Sequence, residues 1–399
     1  MKKSRMIAWT VWLIASIFYA YQYILRVMPN IMMDDIIHQF HIDAAMFGQF
    51  SGVYYIGYSL VHLPIGIMLD RYGPKKVLTG CILLTVIGLL PILLAENWAY
   101  PILGRAIIGV GSSAAILGAF KIIRLTFREQ HFTRMLSLTV TIGLIGGIYG
   151  GGPLNYMCEQ WGYRSVIQIF MGVGICLATI TYLLLPKEKE HTPLKIRAGI
   201  KQVFTNSKVL VICFSAGLMV GPMEGFADVW ASEFLKKVYH FDVNIAGYLP
   251  SMIFLGMCFG APVLGLLAEK TGRYLGVIIG AGLVMISVFV ALLLGYFTIS
   301  GMTFAFILVG VCCAYQILAI YKASTYVPEN LAGLTTAVAN MIIMSFGYAF
   351  HTIIGVVVSA YGGIAEANAF LYGISVIPLA LGAGVLGFLI VAASKQQSA

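Results

Sequence analysis

Four charged residues stand inside stretches that are otherwise apolar: Arg26, Arg105, Glu224 and Asp228. A charge at the centre of a bilayer costs about 2.5–3.5 kcal/mol on insertion scales, so such residues face a cavity or a partner. Arg26 ends a stripe of Ser16, Tyr19, Gln22 and Tyr23, whose spacing places all five on one helical face. Its planar guanidinium grips a carboxylate or phosphate through two parallel hydrogen bonds. Glu224 and Asp228 lie one turn apart in the stripe Gly221, Glu224, Asp228, Ser232. Two carboxylates sharing a low-dielectric site resist double ionisation, so one of them suits proton loading and release. Two further stripes carry Ser51, Tyr55, Tyr58 and His62, and Asn340, Met344, Gly347 and His351. The expected solute contacts are Arg26, Tyr19, Gln22, Tyr23, Tyr55, Tyr58, Glu224 and Asn340. The expected proton carriers are Glu224, Asp228 and His351.

The elements that position these residues follow from composition. The chain of 399 residues is 60% hydrophobic and only 10% charged. A soluble domain is about a quarter charged, so the expected solvent is lipid. Twelve apolar runs are long enough to span a bilayer, roughly 7–28, 45–68, 76–95, 98–122, 135–157, 164–185, 209–232, 245–267, 275–297, 301–321, 334–360 and 369–393. Continuous rather than alternating runs exclude a transmembrane β-barrel. The fold class is therefore all-α membrane protein, twelve helices in two pseudo-symmetric bundles. The expected domains are 1–185 and 209–399, joined by the polar, basic segment 186–208. The third, ninth and twelfth runs are nearly all apolar and should face lipid.

Placing both termini on one side puts 20 of the 25 Lys and Arg on that side and leaves only Arg164, Lys236 and Lys237 in the opposite loops. The positive-inside rule makes that side cytoplasmic. The formal charge of +9 is thus an orientation signal, not a nucleic-acid patch. Seven scattered cysteines without a C-x-x-C imply neither a disulfide frame nor a metal cluster. No P-loop is present, and no nucleophile–base grouping suggests an enzyme. No cofactor and no metal are expected.

An internal repeat is visible. Gly66-x-x-x-Asp70-Arg71-x-Gly73-x-Lys75-Lys76 follows the second run, and Gly265-x-x-x-Glu269-Lys270-x-Gly272-Arg273 follows the eighth, at an offset of 199. These segments resemble the "motif A" of the major facilitator superfamily of secondary transporters and its weaker second copy. Leu103-Gly104-Arg105, followed by Gly109 and Gly111, resembles that family's "motif B". Trp161-Gly162-Tyr163-Arg164 resembles another recurrent element. The resemblance covers essentially the whole chain. It implies two six-helix bundles, with helices one, four, seven and ten lining a cavity. In motif A, glycines allow a tight turn and close helix approach, and the charges form contacts present in only one of two rocking states. Gly66, Asp70, Arg71, Gly73, Lys75, Lys76, Arg105, Gly265, Glu269, Lys270, Gly272 and Arg273 are the expected gating set. The run Gly143 to Pro153 departs from the Gly-Pro "motif C" of family antiporters, though its glycines still suit close packing.

Shifted by the repeat offset, Arg26 falls beside Glu224, so the two should lie at similar depth on opposite sides of the central cavity. The expected function is proton-coupled symport, importing a small polar solute with a carboxylate: an amino acid, an organic acid or a carboxylate siderophore. The alternatives are a proton-coupled exporter of amphiphilic or siderophore-like compounds, and a non-transporting receptor or accessory subunit. Expected partners are the solute, protons and the inner-membrane bilayer, with no nucleic acid, around a monomer.

Overall fold

A computed structural model describes residues 2–128, 131–186, 197–328 and 331–396, with side chains omitted at 2–5, 133, 197, 198 and 394–396. The described residues are helical with short connections and contain no strand. Helix is the only open-ended structure that satisfies every backbone N–H and C=O within one segment, as lipid requires. By length and composition alone, ten helices qualify as spans, or eleven when Arg134–Tyr149 and Gly152–Trp161 count as one. The twelfth is concealed in His62–Leu94, which is broken at Gly73 by a non-helical backbone (φ 76°, ψ 163°). Divided there, residues 44–72 form span two and 74–94 span three. The others are span one (Lys2–Ile31), four (Ala99–Thr126), five (the bent pair), six (Tyr163–Leu184), seven (Ser207–Val238), eight (Val243–Thr271), nine (Tyr274–Leu293), ten (Ile299–Ser324), eleven (Ala332–Ala360) and twelve (Ala367–Gln396).

Local chemistry sets the boundaries. Gly162 (φ 75°) separates spans five and six, and Gly272 (φ 64°) ends span eight in the left-handed region that glycine adopts freely. Asn206 and Thr298 cap spans seven and ten by accepting from the Val209 and Gly301 amides. Span five bends by 41° between Tyr149 and Gly152, where two residues, Gly150 and Gly151, interrupt the helix.

The chain divides into two compact units, residues 1–40 with 53–194, and residues 41–52 with 195–399. Residues 187–196 of the expected linker lie outside the described residues. Residues 41–52 belong with the second unit for visible reasons. Phe47 packs edge-to-face on Trp230, Ser359 donates to Asp43 at 3.1 Å, and Gly52 lies against Tyr348 and His351 of span eleven.

Each unit repeats the same helix pairings. Span one packs on five and seven on eleven; three packs on six and nine on twelve. Spans two and four cross where Gly57 meets the Ala106 backbone and Gly109 meets the Tyr54 backbone. Spans eight and ten cross where Gly256 meets Ile307 and Gly310 meets Ile253. Gly57 and Gly256 are separated by the same 199 residues as the two motif A copies, so the sequence repeat is a repeat of backbone contacts. Spans three, nine and twelve turn Leu83, Ile87, Leu283, Val290, Leu379 and Leu386 outward, matching their apolar composition.

Candidate functional site

In the first unit, the stripe on span one meets span two and span four. Arg26 is only 6% exposed, so it does not reach out to the surface. Its guanidinium lies 4.6 Å from the centre of the Tyr23 ring and 5.6 Å from that of Tyr55. A desolvated cation over an aromatic face gains about 2 kcal/mol, which offsets part of the cost of burying the charge. Tyr54 donates to Gln22 Oε1 at 2.7 Å, and its ring carries the Arg105 guanidinium at 4.8 Å. Tyr54 stacks in turn on Tyr58, and Tyr58 on His62. Arg105 donates from Nη1 to Leu25 O and from Nη2 to Arg26 O, both at 2.6 Å. Tyr19 approaches Tyr23 at 5.2 Å while its ring also covers Gly143 of span five. So the structure gathers Gln22, Tyr23, Arg26, Tyr55 and Tyr58 into one cluster, with Tyr19 at its edge.

In the second unit, Glu224 is 7% exposed and lines a small pocket with Met223, Phe254, Met257, Cys313, Tyr315 and Gln316. Gln316 donates to Asn340 Oδ1 at 3.4 Å, which links Asn340 to the pocket wall. The expected single face on span seven is corrected here. Residues Phe226–Trp230 form a π-turn, which rotates the helix beyond it relative to a regular α-helix. Gly221 packs against Phe346 and Phe350 of span eleven, whereas Glu224 opens on spans eight and ten. Asp228 lies within the π-turn, fully buried, and is not part of the pocket lining. His351 is buried and its Nδ1 donates to Gly347 O at 2.7 Å.

The gating residues divide in two. Asp70 pairs with Lys121 of span four at 3.1 Å. The Arg71 guanidinium lies over Tyr72, and Lys75 Nζ lies 4.8 Å from the Tyr182 ring centre. Gly73 and Gly272 take positive φ, as tight turns require. Gly66 and Gly265 do not mediate the expected close helix approach: no atom lies within 4 Å of a Cβ built at either. Lys76, Glu269, Lys270 and Arg273 are exposed. Near the expected family element, Tyr163 donates to Gln39, and Gln39 donates to Ile92 O at 3.1 Å.

Four functional neighbours lay outside the sequence patterns. Tyr54 falls one residue off the span-two stripe; Lys121, Tyr315 and Gln316 join their sites only through the fold. Among the described residues, no group of three or more His, Cys, Asp or Glu is placed to hold a metal ion.

Many apolar spans, a repeated six-helix pairing and polar clusters buried between spans define a multi-pass membrane transporter. The family profile of the Major Facilitator Superfamily matches residues 11–352, and the chain belongs to that family. It is 20% identical over 341 residues to the "Nitrite extrusion protein" of Bacillus subtilis, covering 80% of this chain and 79% of that one. It is 24% identical over 225 residues to the "Fujikurins efflux protein" of Gibberella fujikuroi, 56% of this chain and 48% of that one. Among solved structures, a bacterial homologue of the human lysosomal transporter Spinster, inward-facing and unoccupied, superposes with a TM-score of 0.73 at 17% identity, over 97% of this chain and 96% of that one. The nucleoside transporter NupG, as its D323A mutant, gives 0.74 at 15%, over 96% and 99%. Those structures share the fold.

Proposed function

We propose that this protein is a proton-coupled symporter of the inner membrane that imports a small anionic solute bearing a carboxylate. The observation that carries the reading is Arg26. A buried guanidinium braced on two tyrosine rings beside Gln22 is an expensive feature, and its chemistry is recognition of a planar anion. The name of the Bacillus relative, which concerns nitrite, agrees with an anionic solute. Glu224, in its pocket of mostly apolar side chains, is the proton carrier in this reading, with Asp228 and His351 as further candidates. Motif A and Arg105 set the balance between two access states. The unit of function is one chain, with both termini cytoplasmic, as the charge asymmetry favours, and its work is transport rather than catalysis.

Export is the second reading, favoured by the printed names of the two relatives. It uses the same residues with the opposite vector. A panel of monocarboxylates, dicarboxylates, nitrite and amino acids, tested for thermal stabilisation of the purified protein, identifies the anion. The proposal expects stabilisation by at least one carboxylate and its loss in Arg26→Gln. Equal stabilisation of the variant removes Arg26 from recognition.

A further inference from the structure

Pro29 lies inside span one, four residues after Leu25. A proline in a helix donates no N–H, and its ring crowds the carbonyl four residues earlier. The Leu25 carbonyl therefore receives no i+4 bond from its own helix. The donor comes from another span. Arg105 gives one arm of its fork to Leu25 O and the other to Arg26 O, each at 2.6 Å, short distances that mark charge-assisted bonds. Arg105 is itself only 2% exposed, and its guanidinium rests on the Tyr54 ring. Tyr54 then holds Gln22, one turn before Arg26. Span one is thus gripped at residues 22, 25 and 26, in the turn where proline has weakened its own hydrogen bonding.

We propose that Arg105 is a positioning residue for Arg26. It fills the donor vacancy created by Pro29 and so fixes the turn that presents the Arg26 guanidinium against Tyr23 and Tyr55. This rests on the reading of Arg26 as the anion-binding group. The geometry explains why arginine stands at 105: a planar fork serves two adjacent carbonyls at once, whereas a lysine ammonium is a single point. It also makes the roles of residues 29 and 105 interdependent. If residue 29 carried an N–H, the Leu25 carbonyl would regain its helical partner and the demand on Arg105 would fall. A residue that merely filled space between spans one and four would show no such dependence.

The test follows modification of Arg26 by phenylglyoxal, mapped by mass spectrometry in the purified full-length protein, with acetate as the carboxylate probe. Five proteins are compared: wild type, Arg105→Lys, Arg105→Met, Pro29→Ala, and Arg105→Met combined with Pro29→Ala. Loss of the fork should raise the Arg26 modification rate about tenfold, the scale of one charge-assisted hydrogen bond. Arg105→Lys should fall between. Adding Pro29→Ala should return the rate to within about twofold of wild type. An unchanged rate in Arg105→Met, or a raised rate that Pro29→Ala fails to lower, overturns the proposal. If Arg105→Met does not fold, Arg105→Lys with and without Pro29→Ala makes the same comparison. Protection of wild-type Arg26 by acetate, lost in Arg105→Met, supports the positioning and the anion reading together. Without acetate protection, a rate that depends on Arg105 and is reset by Pro29→Ala still supports the positioning, and the anion reading alone fails.

Discussion

The crossing of spans two and four gives the sharpest structural prediction, because no side chain is available there to yield. A Cβ built at Gly109 lies 2.9 Å from the Tyr54 carbonyl carbon and 3.0 Å from the Tyr58 nitrogen, and it also meets the Tyr54 carbonyl oxygen. Carbon contacts are optimal near 3.5–4.0 Å, so Gly109→Ala must push the helices apart by at least ~0.5–1 Å, the oxygen contact demanding more. Overpacking of this kind costs about 1–3 kcal/mol. The better helix propensity of alanine returns up to about 1 kcal/mol, leaving a net loss of about 1–2 kcal/mol. The displaced element carries Tyr54, so the bond to Gln22 and the support beneath Arg105 should loosen together. Gly57→Ala meets the Ala106 backbone in the same way. Once one alanine has separated the helices, the second should cost little, making the double variant clearly less unstable than the sum of the singles. The assay is thermal unfolding of the purified protein. Gly66→Ala serves as the control, since no atom lies within 4 Å of its built Cβ. A Gly109→Ala protein as stable as Gly66→Ala, or strict additivity with Gly57→Ala, refutes the reasoning.

The motif A glycines should separate by backbone conformation. Gly73→Ala, at φ 76° and ψ 163°, should lose about 1–3 kcal/mol; Gly272→Ala, at φ 64°, should lose about 1 kcal/mol; Gly265→Ala should be tolerated. Unfolding curves of the three proteins decide it, and equal losses would contradict the assignment. The Asp70–Lys121 pair has a carboxylate side chain 70% exposed, so a double-mutant cycle with Asp70→Asn and Lys121→Gln should give a stability coupling below about 1 kcal/mol. A coupling of several kcal/mol would show that the pair is a structural pin rather than a weak latch. Asp35, in the short helix Met33–Phe40, has its carboxyl pushed above the usual range by burial and then by Asp34, against the pull of His38. A raised carboxylate costs stability where it is ionised, and that cost disappears as pH falls through its folded pKa. Asp35→Asn should therefore raise the melting temperature at neutral pH and confer no gain below about pH 4, the ordinary carboxylate value. A gain that persists at acid pH points to a cause other than charge.

Much of the architecture was legible because lipid imposes it. Twelve apolar runs, the 199-residue repeat and the outward faces of spans three, nine and twelve all follow from local composition. The stripe on span one was equally local, which is why Gln22, Tyr23 and Arg26 come together as their spacing implies. What composition concealed was backbone geometry. A π-turn at Phe226–Trp230 has no apolar signature, yet it separates Asp228 from the Glu224 pocket. Tyr54 is one residue off its stripe, and it reaches Gln22 because the glycine crossing brings spans two and four so close. Lys121 belongs to none of the sequence stripes and finds Asp70 only through folding. Pro29 and Arg105 are both conspicuous in the sequence, but their pairing through the Leu25 carbonyl requires the three-dimensional contact.

The central claim, that a buried arginine takes the anion and a buried carboxylate takes the proton, reduces to one flux measurement. Proteoliposomes containing wild type or Glu224→Gln are loaded with the carboxylate that stabilises the protein. Each is assayed for exchange at equal pH and for uptake driven by an inward proton gradient. The account predicts that wild type performs both, while Glu224→Gln retains exchange and loses gradient-driven accumulation. Full gradient-driven accumulation by Glu224→Gln would contradict it.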